Sequence, residues 1–197
     1  MEDKRFEDQL KFILEVDKEK NIFRQTHLVG YSRRENDAEH AWHLATMAYL
    51  LKEYSNEEID LAKAMMMALI HDVVEIDAGD TYAYDEAGLV SQKEREEKAA
   101  ERIFGLLPED QAKELRALFE EFEAYESPEA RFVRALDNIQ PMLLNDANDG
   151  KDWLDRKITK TQVYKRHTKT ATGSKKLWDH TEKMIERNIA EGKILDQ

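Results

Sequence analysis

The sequence predicts an all-α, single-domain helical bundle. Seven Gly and three Pro in 197 residues leave little material for a turn-rich β architecture. A composition of 41% hydrophobic and 37% charged residues suits amphipathic helices around one core. Capping and breaking residues recur at helix-length intervals. The length fits one domain, read as residues 1–197 with a core over about 6–145, a basic segment over 151–176 and a C-terminal packing helix over 177–192.

Phe6, Leu10, Ile13, Leu14 and Asp17 follow helical spacing and predict a first helix from Phe6 to about Lys20. After a linker containing Gly30, Asn36 or Asp37 caps a helix from Ala38 to Tyr54. Its inner face is His40, Leu44, Met47 and Leu51, which puts His40 inside. Ser55-Asn56-Glu57-Glu58 has the form of a capping box and predicts an Ala- and Met-rich helix to about Ile76, stopped by Gly79. Leu61, Met65, Ala68 and Asp72 form one stripe of that helix, and His71, Asp72 and Glu75 crowd its end. Ser91-x-x-Glu94 and Gly105 bracket another helix, and Pro108 opens one carrying Leu115, Leu118, Phe119 and Phe122. Ser127-Pro128 opens the helix that carries Asp137. Within it Pro141 has no amide hydrogen and crowds the carbonyl of Asp137, so a kink is expected there. Leu177, Trp178, Met184, Ile185 and Ile189 predict a final amphipathic packing helix.

No apolar stretch approaches the roughly 20 residues that span a bilayer, and the N-terminus lacks the apolar core of a secretory signal. The expectation is a cytoplasmic protein with no membrane contact. The absence of Cys removes disulfides, thiolate ligands and cysteine nucleophiles, so any metal site must use His and carboxylates. A net charge of −12 argues against a duplex nucleic-acid partner. The charge is uneven, because residues 151–176 hold nine Lys or Arg against Asp152 and Asp155. That segment reads as a solvated surface, the alternative being a basic wall beside an anionic substrate.

A lone His on an apolar face is ordinarily a hydrogen-bonded core residue, and a His-Asp pair is common by chance. The combination is more specific: His40 on one inner face, His71-Asp72 at the next helix end, and Asp137 amid Val133, Leu136 and Ile139. A divalent cation would neutralise the two buried carboxylates and accept both imidazoles. Such a mixed donor set suits Mn²⁺, Fe²⁺, Co²⁺, Ni²⁺ or Zn²⁺ and is nitrogen-rich for Mg²⁺, so ligand type does not choose the metal. Arg24, Arg33 and Arg34 precede His40, and an arginine fork fits phosphate.

Glu35-Asn36-Asp37-Ala38-Glu39-His40, then His71-Asp72-Val73-Val74-Glu75 with Gly79-Asp80, then Asp137 resemble the HD superfamily of metal-dependent phosphohydrolases. The resemblance is nearest to the bacterial 5′-deoxynucleotidase branch and covers roughly the first 145 residues. It implies an HD-domain helical bundle in which His40, His71, Asp72 and Asp137 hold the metal. It also implies metal-assisted attack of water on the phosphorus of a nucleoside 5′-monophosphate. Glu75 would do general acid–base work, and Asp80 would meet a substrate hydroxyl or relay a proton. Arg24, with one residue inserted before the Glu-Asn segment, would contact phosphate, with Arg33 as a further substrate-binding candidate. Gln25 stands where the deoxynucleotidases have a tryptophan associated with excluding a ribose 2′-hydroxyl, so the resemblance does not carry the deoxy preference over. His27, His43, Tyr82 and Tyr84 are candidates for base contact, and a homodimer is expected by analogy alone. Two other readings stay open: an HD hydrolase of a phosphodiester, nucleoside triphosphate or alarmone, and a catalytically silent, metal-stabilised nucleotide-binding module. Glu75 and Asp80 beside all four ligands speak against the silent module.

Overall fold

In the computed structural model, which describes residues 2–84 and 86–197, α1 spans Glu2–Val16 and turns Phe12 into the core with Val16 packed at its edge. Phe6, Leu10, Ile13 and Leu14 share a helical stripe as the spacing requires, but the stripe faces outward, with Leu14 71% exposed. A 3₁₀ turn at Asp17–Asn21 leads into β1 (Phe23–His27), which pairs antiparallel with β2 (Arg34–Asn36). The linker expected from the sequence is therefore a hairpin, a small exception to an otherwise helical fold. Asn148 pins its tip, accepting from the Gly30 amide at 2.9 Å and donating to the Leu28 carbonyl at 2.9 Å. Gly30 needs φ +88° there, a conformation that costs glycine little.

Asn36 ends β2 and caps α2 (Asp37–Leu51) through a reciprocal capping box with Glu39, which sets where His40 emerges. The next helix departs from the sequence expectation. Ser55–Glu58 opens no helix, because Asn56 instead donates to the carbonyls of Ala171 and Thr172 and accepts from the Lys175 amide. Asp60 is the cap of α3, which covers only Leu61–Ile70. A tight turn over residues 71–74 separates it from α4 (Glu75–Ala78), closed by Gly79 at φ +75°.

α5 covers Glu86–Phe104 and begins before Ser91, which is no cap. α6 (Glu109–Ala124) follows Pro108 as expected, and α7 (Pro128–Ala147) starts at the Ser127 cap and continues through Pro141. α8 (Lys151–Arg156), α9 (Lys160–His167), α10 (Thr170–Gly173) and α11 (Lys175–Ala190) complete the chain. The basic segment is thus folded helix. Gly173 lies so close to α7 that a Cβ would fall 1.9 Å from the Arg131 carbonyl oxygen.

α7 is the axis of the molecule. Its Phe132, Val133 and Leu136 meet Leu44 of α2, Met67 of α3 and Phe122 of α6 in the main core. A second cluster joins Phe12 and Val74 to Ile103, Phe104 and Phe119. In a third, Met142 of α7 meets Trp153, Ile158, Val163, Met184, Ile185 and Ile194. Each fully buried side chain of this size contributes about 1.5–3 kcal/mol, so this third cluster holds the C-terminal segment to α7 by apolar packing. Among the described residues no helix is long and apolar enough to cross a membrane.

Candidate metal centre

Four elements converge on one point: the start of α2 with His40, the turn after α3 with His71 and Asp72, the middle of α7 with Asp137, and β1 with Arg24. His40 Nε2 lies 3.2 Å from Asp137 Oδ1 and 3.9 Å from Asp72 Oδ2. His71 Nε2 lies 3.1 Å from Asp72 Oδ2 and 3.9 Å from Asp137 Oδ1. His40, His71 and Asp72 each place one ligand atom within 4.8 Å of the others.

The outer contacts prepare these atoms for a cation. His71 Nδ1 is 3.0 Å from the Ala68 carbonyl, an acceptor only, so Nδ1 is the donor there and Nε2 faces the cluster. That Nε2 is buried without a hydrogen-bond partner. His40 Nδ1 is 3.1 Å from Gln140 Oε1, and Gln140 Nε2 donates to Glu35 Oε1 at 2.7 Å. Two imidazole nitrogens and two carboxylates gathered at one buried point fit a divalent ion, and the set does not select which one.

The electrostatics agree. Burial alone would raise the Asp72 carboxyl, but His71 and Arg24 hold it below the usual carboxylate range. Burial likewise opposes ionisation of Asp137, yet His40, Arg166, His71 and Arg134 keep it well below that range. Burial and Arg24 depress His40, but Asp137, Glu35 and Asp72 outweigh them and hold its imidazolium up to about 9. A cation entering the cluster therefore displaces a proton from His40.

Glu75 opens α4 with one carboxylate oxygen grouped within 4.8 Å of those of Asp37 and Asp72. Burial, then Asp72 and Asp37, raise it well above its ordinary value, so it keeps a proton where Asp72 does not. Asp80 is also raised, chiefly by burial. Arg24 donates to Asp72 Oδ2 at 2.6 Å and lies 3.5 Å from Asp37, a mostly buried guanidinium at the lip of the cluster. Arg24, Asp72, Glu75 and Asp80 line one cavity together with Gln25, Tyr82, Tyr84, Arg134 and Arg166. Gln25 accepts from Arg156, which stacks on the Tyr82 ring at 4.5 Å.

Arg33 does not reach the cavity. It forks onto Glu39 at 2.9 and 2.5 Å beside the hairpin, which corrects the expectation that it meets substrate. His27 is held by Asp152 at 2.7 Å and His43 by Gln140 at 3.2 Å, so neither lines the cavity, whereas Tyr82 and Tyr84 do. Sequence reasoning assigned no site role to Gln140, Glu35 or Arg134, took Asp37 only as a possible helix cap, and included Arg166 only in the basic segment that could wall an anionic substrate. Glu35 and Asp37 lay inside the quoted motif, whereas Gln140 and the two arginines had no local signal.

Glu19, in the 3₁₀ turn, is buried with Oε1 unpartnered, and burial, Asp72 and Asp37 raise its carboxyl to about 8. A carboxyl raised from 4.5 in the folded state contributes its full stability below pH 4.5 and loses it as pH rises toward 8. Glu19→Gln is therefore expected to stabilise the metal-free protein at pH 8, by on the order of a few kcal/mol, and to change little at pH 4.5. Thermal unfolding in chelator at the two pH values checks this; equal gains at both would refute the assignment.

The HD domain family model matches residues 16–178. The chain is 46% identical to a predicted metal-dependent phosphohydrolase from Magnetospirillum magnetotacticum of solved structure, covering 98% of this chain and 97% of that one with a TM-score of 0.94. It is also similar to the 5′-deoxynucleotidase HDDC2 of Homo sapiens, 36% identical over 111 residues, or 56% of this chain and 53% of that protein. The namesake protein of Dictyostelium discoideum is 30% identical over 119 residues, covering 58% and 63%. The chain spans about half the length of the first of these curated relatives.

Proposed function

The chain belongs to the HD-domain family, and from that premise we propose that it is a divalent-metal-dependent phosphomonoesterase releasing phosphate from (deoxy)nucleoside 5′-monophosphates. The observation that carries the reading is the convergence of His40, His71, Asp72 and Asp137 beside a proton-holding Glu75, with all of these but the fully buried His40 lining one cavity. The relatives named as 5′-deoxynucleotidases point to the same substrate class.

In this reading the four ligand side chains hold the cation, which when bound polarises a phosphoryl oxygen and makes water more acidic. Arg24 turns its guanidinium from Asp72 to a phosphoryl oxygen. Water adds to phosphorus, the bond from phosphorus to the 5′-oxygen breaks, and Glu75 passes its proton to the departing nucleoside oxygen and takes one back from the attacking water, which leaves inorganic phosphate. Asp80 meets a sugar hydroxyl or relays that proton. Gln25 offers polar atoms where a bulky apolar ring would exclude a 2′-hydroxyl, so ribonucleotides are substrates too. The same reading takes residues 1–197 as one HD-type domain, cytoplasmic and homodimeric.

The test is phosphate release by the metal-reconstituted protein over ribo- and deoxyribonucleoside monophosphates, with a phosphodiester, a nucleoside triphosphate and an alarmone alongside. Release from several monophosphates and none of the others is expected. Turnover only of the others would replace this substrate class, and nucleotide binding without any release would make the protein a sensor.

A further inference from the structure

A phosphoryl dianion has three non-bridging oxygens, while the proposed site assigns one to the cation and one to Arg24. The third has to be met inside a cavity lined by seven carboxylates, which repel it. Among the described residues three arginines line that cavity: Arg24, Arg134 and Arg166. Arg134 is committed, because it donates to Glu123 at 2.8 Å and its guanidinium lies 3.8 Å over the Phe122 ring. Arg166 is placed differently. Its contact with Asp137 Oδ2 is 3.3 Å, long for a charge-assisted bond, which ordinarily measures about 2.7–2.9 Å.

The fold aims Arg166 at this point. A capping box between Thr159 and Gln162 starts α9, and the burial of Val163 and His167 sets its rotation. Arg166, in the last turn, then faces the cavity with its side chain 36% exposed. It also lines the adjoining groove between α5, α6, α7 and α9, so it borders open space beyond the cavity. Arg24 approaches Asp137 Oδ1 and Arg166 approaches Oδ2, so the two guanidiniums reach the cluster by different oxygens of one carboxylate. Asp137 keeps a partner without Arg166, since His40 Nε2 lies 3.2 Å from its Oδ1.

We propose that Arg166 is a second phosphate-binding arginine, which leaves its long contact with Asp137 to take the phosphoryl oxygen that the cation and Arg24 do not hold. The inference rests on the phosphomonoesterase reading and gives the basic segment a part in the site: it delivers one arginine through α9.

The test is calorimetric titration of inorganic phosphate into the full-length, Mn²⁺-loaded protein, with Mn²⁺ affinity measured on the same samples. Arg166→Ala is expected to weaken phosphate binding by about 10- to 100-fold, the factor carried by one or two hydrogen bonds between charged groups, and to leave Mn²⁺ binding unweakened. Lys176→Ala makes the same charge change at an exposed position of α11 and should bind phosphate as the parent does. Equal phosphate affinity in the parent and Arg166→Ala would overturn this inference alone. Loss of Mn²⁺ in step with phosphate would also overturn it, making Arg166 a support for Asp137. A parent that binds no phosphate would remove the phosphomonoesterase reading and this inference with it.

Discussion

Asp137→Asn is expected to abolish metal retention and to lower phosphate release by at least about 10³-fold, because the cation's stabilisation of developing charge is worth several kcal/mol. The substitution keeps the shape of the side chain and removes its charge. In the folded protein that charge faces His40 at 3.2 Å, Arg166 at 3.3 Å and Arg134 at 3.4 Å, all around a buried carboxylate. Without it these cationic groups lose their shared partner, and the metal-free variant should unfold more easily, by about 3–5 kcal/mol as for other broken buried ion pairs. Elemental analysis after reconstitution, phosphate release and thermal unfolding measure the three effects. A variant that kept Mn²⁺ at the parent's stoichiometry and affinity would take Asp137 out of the metal shell.

Glu75→Gln is expected to separate chemistry from assembly. The Glu75 carboxyl is held protonated in the metal-free protein by burial and by Asp72 and Asp37. Glutamine is a close mimic of that neutral form, so folding and metal content should match the parent. What glutamine cannot do is give up a proton to the leaving oxygen, and the rate should fall by about 10²- to 10⁴-fold. The pH profile supplies a second readout. A group that donates its proton works below its pKa, so the parent's rate should decline on the alkaline side as Glu75 ionises, and the variant should lack that limb. A variant with the parent's rate, or with the same alkaline limb, would move the proton-transfer role to another residue.

Both predictions depend on residues that the amino-acid sequence makes legible, and the reason is local. His71, Asp72 and Glu75 are neighbours along the chain, and Asn36 and Glu39 cap α2 through a spacing of three, so short-range geometry places His40. Ser127 and Pro128 start α7 in the same way. Where fold and sequence expectation part, a long-range contact overrides a local pattern. Asn56 lies within an apparent capping box, yet its amide bonds to residues more than a hundred positions away, and the helix starts at Asp60 instead. The stripe on α1 has helical spacing, but periodicity states only that those residues share a face, and that face turns outward.

The sequence by itself determined the helical class, the starts of α2, α6 and α7, the four candidate ligands and the candidate proton carrier, because capping, periodicity and ligand chemistry act over a few residues. Only the tertiary structure decided which arginines serve the cavity. Arg33 had the right type and neighbourhood but is paired with Glu39, six positions onward. Arg166 lies 29 positions from Asp137 in a segment that read as solvated surface, and the packing of α9 carries it to the carboxylate. A guanidinium's partner is set by which surfaces the core brings within about 3 Å, and no local rule encodes that.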